Sequence, residues 1–99
     1  MFLFISFNIK AQVTANFSGS ATSGCAPLLV QFTDLSTGSP TSWNWVFGNG
    51  NTSSNPGPVS AIYTNPGTYT VTLTASNGAS TDSETKLAYI TVYAKPTAD

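Results

Sequence analysis

The sequence predicts an all-β domain, a sandwich or barrel of about seven short antiparallel strands, and three observations carry the prediction. Apolar residues recur at every second position through several short segments. A period of two marks a strand with one buried face. Clusters of Gly, Pro and Asn separate these segments as turns would. No segment has a helical period, and charged residues make up only 7% of the chain, against roughly 25% in an average soluble protein. Ser, Thr and Asn must then cover the surface, and Thr with Val favours strands over helices.

The elements follow in order. Residues 1–12, MFLFISFNIKAQ, open with an apolar run that only Ser6 and Asn8 interrupt. This fits the apolar half and small-residue end of a secretory signal peptide, and it is too short to span a bilayer. The basic opening of such a peptide is missing, since no Lys or Arg precedes Phe2; either a start lies upstream or the leader is truncated. The alternative is a first strand over Phe2–Ile9. Its Phe, Leu and Ile would leave that strand apolar on both faces, which favours the leader. The domain is then expected over 13–94, with 95–99 a linker or the start of a next repeat.

Val13–Phe17 alternates, with Val13, Ala15 and Phe17 on one face, and Ser18–Gly24 reads as a loop. Leu28–Asp34 places Leu28, Val30 and Phe32 inward. Ser42–Phe47 puts Trp43, Trp45 and Phe47 on one face and Asn44 and Val46 on the other, and Gly48-Asn49-Gly50 turns it. Residues 51–58 form a loop, Val59–Tyr63 a short edge strand, and Asn65-Pro66-Gly67 a turn. Thr68–Ser76 is the clearest strand: Tyr69, Val71, Leu73 and Ala75 face one way and four threonines the other. Asn77-Gly78 turns it, and Lys86–Tyr93 closes the domain with Ile90 and Val92 inward.

Composition excludes several functions. The 99 residues allow one domain. Three Lys, no Arg and a net charge of −1 cannot build the basic patch that nucleic acid or an anionic membrane needs. There is no His, which removes the commonest general base and metal ligand. No Ser/His/Asp, Cys/His, metalloprotease, P-loop or dinucleotide motif is present. The chain is therefore expected to be no enzyme and to hold no cofactor. Cys25 is the one cysteine; it reads as an inert structural thiol or one that pairs with another segment.

Tyr69 stands two residues before inward Val71 and just after a turn. That is the place of a tyrosine corner in immunoglobulin-like sandwiches, and Trp45 fills the place of their strand-C tryptophan. Ser42-Trp43-Asn44-Trp45-Val46-Phe47-Gly48-Asn49-Gly50 and Tyr63–Asn77, with Ala26–Asp34 upstream and Tyr89-Ile90-Thr91-Val92 at the end, resemble the polycystic kidney disease (PKD) domain. The resemblance runs from about Val13 to Val92. It implies an immunoglobulin-like sandwich in an extracellular protein, serving as a spacer or a protein- or carbohydrate-binding module. Two departures stand out. Val46 and Asn49 replace the aspartates of a motif similar to WDFGDG, and Ala61 and Ile62 stand where the family is similar to His-Thr. Asn49 can still hold a turn through its side chain. The calcium that some members bind is not carried over, because both aspartates are gone and Asp34, Asp82 and Glu84 are not gathered by spacing.

Thr97-Ala98-Asp99 resembles Thr14-Ala15-Asn16 one domain length later, as the start of a tandem copy would. Asn16-Phe17-Ser18 and Asn51-Thr52-Ser53 fit the N-glycosylation pattern. Trp43, Tyr89 and Tyr93 are the candidate ligand-contacting aromatics, through stacking on sugar rings, with core or edge packing as the other reading. The threonine ladder is either a flat binding face or plain β-propensity on a wet face. The functional expectation is a non-catalytic spacer or adhesion module of a larger bacterial secreted or cell-surface protein. Its partners would be the other domains of that protein, surface proteins or polysaccharide, with no nucleic acid and no membrane span. The alternative is a carbohydrate-binding accessory module of a secreted hydrolase.

Overall fold

The computed structural model describes residues 12–94. The leader or first strand expected before residue 12, and the linker or repeat expected over 95–99, lie outside the described residues. Among these residues there are eight strands and no helix: β1 Phe17–Gly19, β2 Ser23–Cys25, β3 Leu28–Asp34, β4 Ser42–Val46, β5 Thr52–Ser53, β6 Val59–Tyr63, β7 Gly67–Ser76 and β8 Thr81–Tyr93. They form two sheets, β1-β3-β6 and β2-β8-β7-β4-β5. The fold is an immunoglobulin-like β-sandwich.

The expected all-β sandwich of about seven antiparallel strands is what the structure shows, with a count of eight and one parallel pairing as refinements. β2 and β5 arise inside segments read as loops, and β2 runs parallel to β8, pairing Ser23 with Thr91 and Cys25 with Tyr93. Three small residues, Ser23-Gly24-Cys25, carry no alternating pattern, so only their neighbour makes them a strand. The first element is displaced too. Val13 and Ala15 are buried as expected, but Thr14 makes only a single bridge to Thr37, and β1 begins at Phe17. β8 starts at Thr81 rather than Lys86, in a polar stretch that β7 holds in register from Ser76↔Thr81 to Val71↔Lys86.

The core follows from the alternation. Val30 and Phe32 of β3, Trp45 of β4, Ala61 and Tyr63 of β6, Val71 and Leu73 of β7, and Ile90 and Val92 of β8 meet between the sheets. Trp45 is fully buried. Its ring lies 5.6 Å from that of Phe17, 6.1 Å from Phe32 and 6.3 Å from Phe47, with Phe17 edge-on and Phe47 stacked. These separations are those of favourable aromatic pairs. Its indole N–H donates to the Asn55 carbonyl at 2.9 Å, so the one polar atom it buries is satisfied. Gly48, two residues beyond β4, has φ +85, and a side chain there would meet the Thr70 carbonyl at 2.5 Å; only glycine fits this turn.

Two polar contacts fasten β6, the edge strand of the smaller sheet, to the larger one. The buried Tyr63 hydroxyl donates to the Phe47 carbonyl at 2.8 Å. The Asn49 amide donates to the Ile62 carbonyl at 2.8 Å, and Asn49 Oδ1 accepts the Asn51 N–H at 3.0 Å. Burial, with the nearby Tyr69 adding to it, pushes the Tyr63 phenol far above its ordinary value of 10.0.

Trp45→Ala should lower stability by about 3–5 kcal/mol, read by denaturant unfolding; a variant that unfolds like the parent would remove Trp45 from the centre of the core. Tyr63→Phe leaves the Phe47 carbonyl without its partner and should cost about 1–3 kcal/mol at neutral pH. Because the folded state holds the Tyr63 proton more tightly than the unfolded chain, its contribution is complete below the unfolded value of about 10 and is lost as pH rises above it. Stability should therefore fall less steeply above that pH in Tyr63→Phe than in the parent, as measured by melting across an alkaline series.

Candidate interaction surfaces

The three candidate aromatics lie in three different places. Trp43 is half-buried, packs against Val13, Ala15 and Ala75, and donates its indole N–H to Asp34 Oδ2 at 2.9 Å. Tyr89 is half-buried edge-on against Phe17, with centroids 5.7 Å apart, and its hydroxyl accepts the Gly19 N–H at 3.0 Å. Tyr93 is 55% exposed at the end of β8, beside Cys25. Trp43 pairs with Ala75 near the end of β7, whereas Val92, next to Tyr93, pairs with Gly67 at its start. Those β7 positions are eight residues apart (75 − 67), about 27 Å along a strand, so Trp43 and Tyr93 share no platform.

The described residues include four charged side chains, Asp34, Asp82, Glu84 and Lys86, each with structural partners. Asp34 also caps the Ser36 N–H at 2.9 Å, and Asp82 accepts the Ala15 N–H at 2.8 Å. Lys86 lies 3.4 Å from Glu84 and sits over the Phe17 and Tyr89 rings at 5.2 and 5.6 Å. Asp82, Glu84 and Lys86 are the half-buried alternate positions of β8. No group of three His, Cys, Asp or Glu that could hold a metal ion occurs among the described residues, and none of their helices could cross a membrane, since there are none. Cys25 is exposed and free on β2, not a buried thiol.

Two surfaces remain. The first is the outer face of the larger sheet. Registered rows cross it: Val46, Thr72 and Thr85; Asn44, Thr74 and Ser83; Ser42, Ser76 and Thr81. Their inward alternates, Trp45, Leu73 and Ala75, are buried, so these residues face out. Hydroxyls pair across the strands, Thr72 with Thr85 at 3.2 Å and Thr74 with Ser83 at 2.7 Å. No member of the rows is charged. The second is an open depression of about 320 Å³ between the Gly48–Asn51 turn and the Ile62–Asn65 segment, with Tyr69 as its aromatic wall. The Tyr69 hydroxyl donates to the Asn65 carbonyl at 2.6 Å, which is the hydrogen bond of a tyrosine corner. Neither surface was singled out as a site by sequence, apart from the threonine half of the first. The turns bordering the depression are legible as turns, but their meeting is tertiary.

The PKD domain profile matches residues 11–89, most of the described sandwich. The chain belongs to the PKD domain family. Solved structures agree. The PKD1 domain of Vibrio anguillarum Epp is 30% identical, with a TM-score of 0.69 over 86% of this chain and 100% of that one. The PKD1 domain of the Vibrio cholerae metalloprotease PrtV is 28% identical, with a TM-score of 0.67 over 81% and 98%. A structure solved to explain promiscuous specificity in carbohydrate-binding modules of the β-sandwich superfamily is 25% identical, with a TM-score of 0.75 over 87% of this chain. This chain spans 36% of that longer one. No curated protein matches as a sequence relative. PKD domains are generally non-catalytic modules and typically occur in extracellular or secreted proteins.

Tyr69→Phe should cost about 0.5–1.5 kcal/mol through loss of the bond to Asn65, measured by thermal melting; an unchanged melt would show that the corner does not anchor the start of β7.

Proposed function

We propose that this PKD domain is a non-catalytic spacer or adhesion module within a larger exported or cell-surface bacterial protein, delivered by a leader in residues 1–12. The observation that carries the reading is the path of the chain. It enters beside the β7–β8 turn, where the Val13 N–H donates to Ser80 Oγ at 3.1 Å and the Ala15 N–H to Asp82. It leaves beside the start of β7, where Val92 pairs with Gly67. Entry and exit are thus at opposite poles, separated by about the 10 residues of β7, roughly 30 Å. A module threaded this way extends a protein by its own length and holds its neighbours apart. On this reading its principal partners are the domains that precede and follow it.

A second reading, a carbohydrate-binding accessory module, draws support from the two surfaces just described. Neutral hydroxyls and amides suit an uncharged polyhydroxyl ligand, which hydrogen-bonds without needing ion pairing. The likeness to carbohydrate-binding modules points the same way. Of the three candidate aromatics, Tyr93 has the ring most open to stack on a sugar.

Spectroscopic labels at Gln12 and Ala94, in a Cys25→Ser background, should report one narrow distance of about 30 Å; a broad or much shorter distribution would overturn the spacer reading. Pull-down on insoluble polysaccharides separates the alternatives. Retention that Tyr93→Ala or Thr74→Glu abolishes favours the second reading, and passage through every polysaccharide tested counts against it.

A further inference from the structure

Asn49 holds β6 through its amide, yet it precedes Gly50 in an exposed turn. An asparagine side chain can be attacked by the backbone nitrogen of the next residue, and glycine there offers least steric resistance. The described residues contain one other Asn-Gly pair, Asn77-Gly78, so the structure offers an internal comparison.

We propose that Asn49 is a spontaneous deamidation site that releases the β6 edge as the protein ages, while Asn77 is protected by the fold. In the step, the Gly50 nitrogen gives up its proton to water or hydroxide and bonds to Asn49 Cγ. The Cγ–Nδ2 bond breaks, and ammonia leaves with the proton returned from solvent. Water then opens the cyclic imide at either carbonyl, giving aspartate or isoaspartate. The net change is amide plus water to carboxylate plus ammonium, with no oxidant or reductant.

Asn49 has what the attack needs, and two of its features are absent at Asn77. The Asn51 N–H donates to Asn49 Oδ1 at 3.0 Å, and a donor on that oxygen stabilises the negative charge it gains during attack; Asn77 Oδ1 shares this feature, accepting the Ala79 and Ser80 N–H groups at 2.9 and 2.8 Å. Among the described residues the Gly50 N–H has no hydrogen-bond partner, and none of them occupies the space where a Gly50 side chain would stand. Water reaches the turn, because Gly50 and Asn51 are exposed. Asn77 differs on access and on the attacking nitrogen. It is only 3% exposed, its amide donates to the Gly38 carbonyl at 3.0 Å, and the Gly78 N–H donates to Ser76 Oγ at 3.2 Å. Asn55 and Asn65 precede prolines, which have no N–H to lose.

The consequence is local. A carboxylate has no proton to donate, so the product would face the Ile62 carbonyl, now 2.8 Å from the amide, with like partial charge. β6 would lose one of its two polar fastenings to the larger sheet and expose an edge carbonyl, as unpaired sheet edges do.

The test is peptide mapping by mass spectrometry after incubating the folded chain in mildly alkaline buffer made with oxygen-labelled water, beside the same chain in denaturant. In the folded chain, label should enter position 49 at least about tenfold faster than position 77, a barrier difference of about 1.4 kcal/mol. In denaturant the two positions should react at similar rates. Label entering position 77 as fast as position 49 in the folded chain overturns the proposal, as does no label at position 49. Asn49→Asp should melt below the parent; an equal or higher melting temperature removes the claimed release of β6.

Discussion

The burial of Trp45 is the constraint on which the rest of the sandwich depends. One indole reaches rings from β1, β3 and the end of β4 and fixes the spacing of the two sheets around it. The chain has few other means of joining them. It has no intrachain disulfide, a single ion pair among the described residues, and four charged side chains there. A domain this small buries only about 60–65% of its unfolded surface, so its stability rests on a few large side chains packed without gaps. The hydrogen bond from Trp45 to Asn55 also draws the proline-bearing loop after β5 over the core. A residue of similar size without the N–H would leave that carbonyl unsatisfied.

A sandwich must also guard its sheet edges, and here β6, β8 and the two shortest strands are managed differently. β6 is tied at its free side by Asn49 and by Tyr63, which reach across from or to the neighbouring sheet. β8 carries its charges at alternate positions facing the core along the stretch that β2 does not cover, a placement that disfavours pairing with a second chain. Lys86 makes that placement tolerable by laying its ammonium over two aromatic rings. β5 and β2 are two and three residues long, too short to template much. The sparse charges are thus spent inside and at edges, which is why the broad outer face of the larger sheet carries none.

The sequence made the long strands legible and the short ones not. β3, β4, β6 and β7 have clean alternation, and their inward sets are buried in the structure, with Leu28, Trp43 and Tyr69 half-buried at the ends and Val46 facing out at 40% exposure. The tyrosine corner was also legible, because it needs only a local turn and a tyrosine at the right spacing. β2 and the first half of β8 were not, since Ser23-Gly24-Cys25 and Thr81–Thr85 hold no apolar alternation and become strands only because a partner strand offers hydrogen bonds. Trp43 reads the same as Trp45 in sequence, two positions apart on one face. Their fates differ because Trp45 lies wholly between the sheets, whereas Trp43 sits at the border between that core and the end cluster of Val13, Ala15 and Ala75. The depression between the Gly48–Asn51 and Ile62–Asn65 segments was illegible for a related reason: 13 positions separate Asn49 from Ile62.

The parallel pairing of β2 with β8 has a mechanical consequence. A pull on the two poles loads β1 and β8 along their own lengths, in different sheets. Tension has to pass from one sheet to the other, and it has three kinds of crossing: the aromatic rings around Trp45, the polar ties of β6, and β2, which leaves the smaller sheet's side to pair with β8. Because β2 lies parallel to β8 and joins it at three registered positions, its hydrogen bonds are sheared together rather than opened one by one. A strand of three small residues that adds almost nothing to the core is therefore placed where a stretched molecule needs it most.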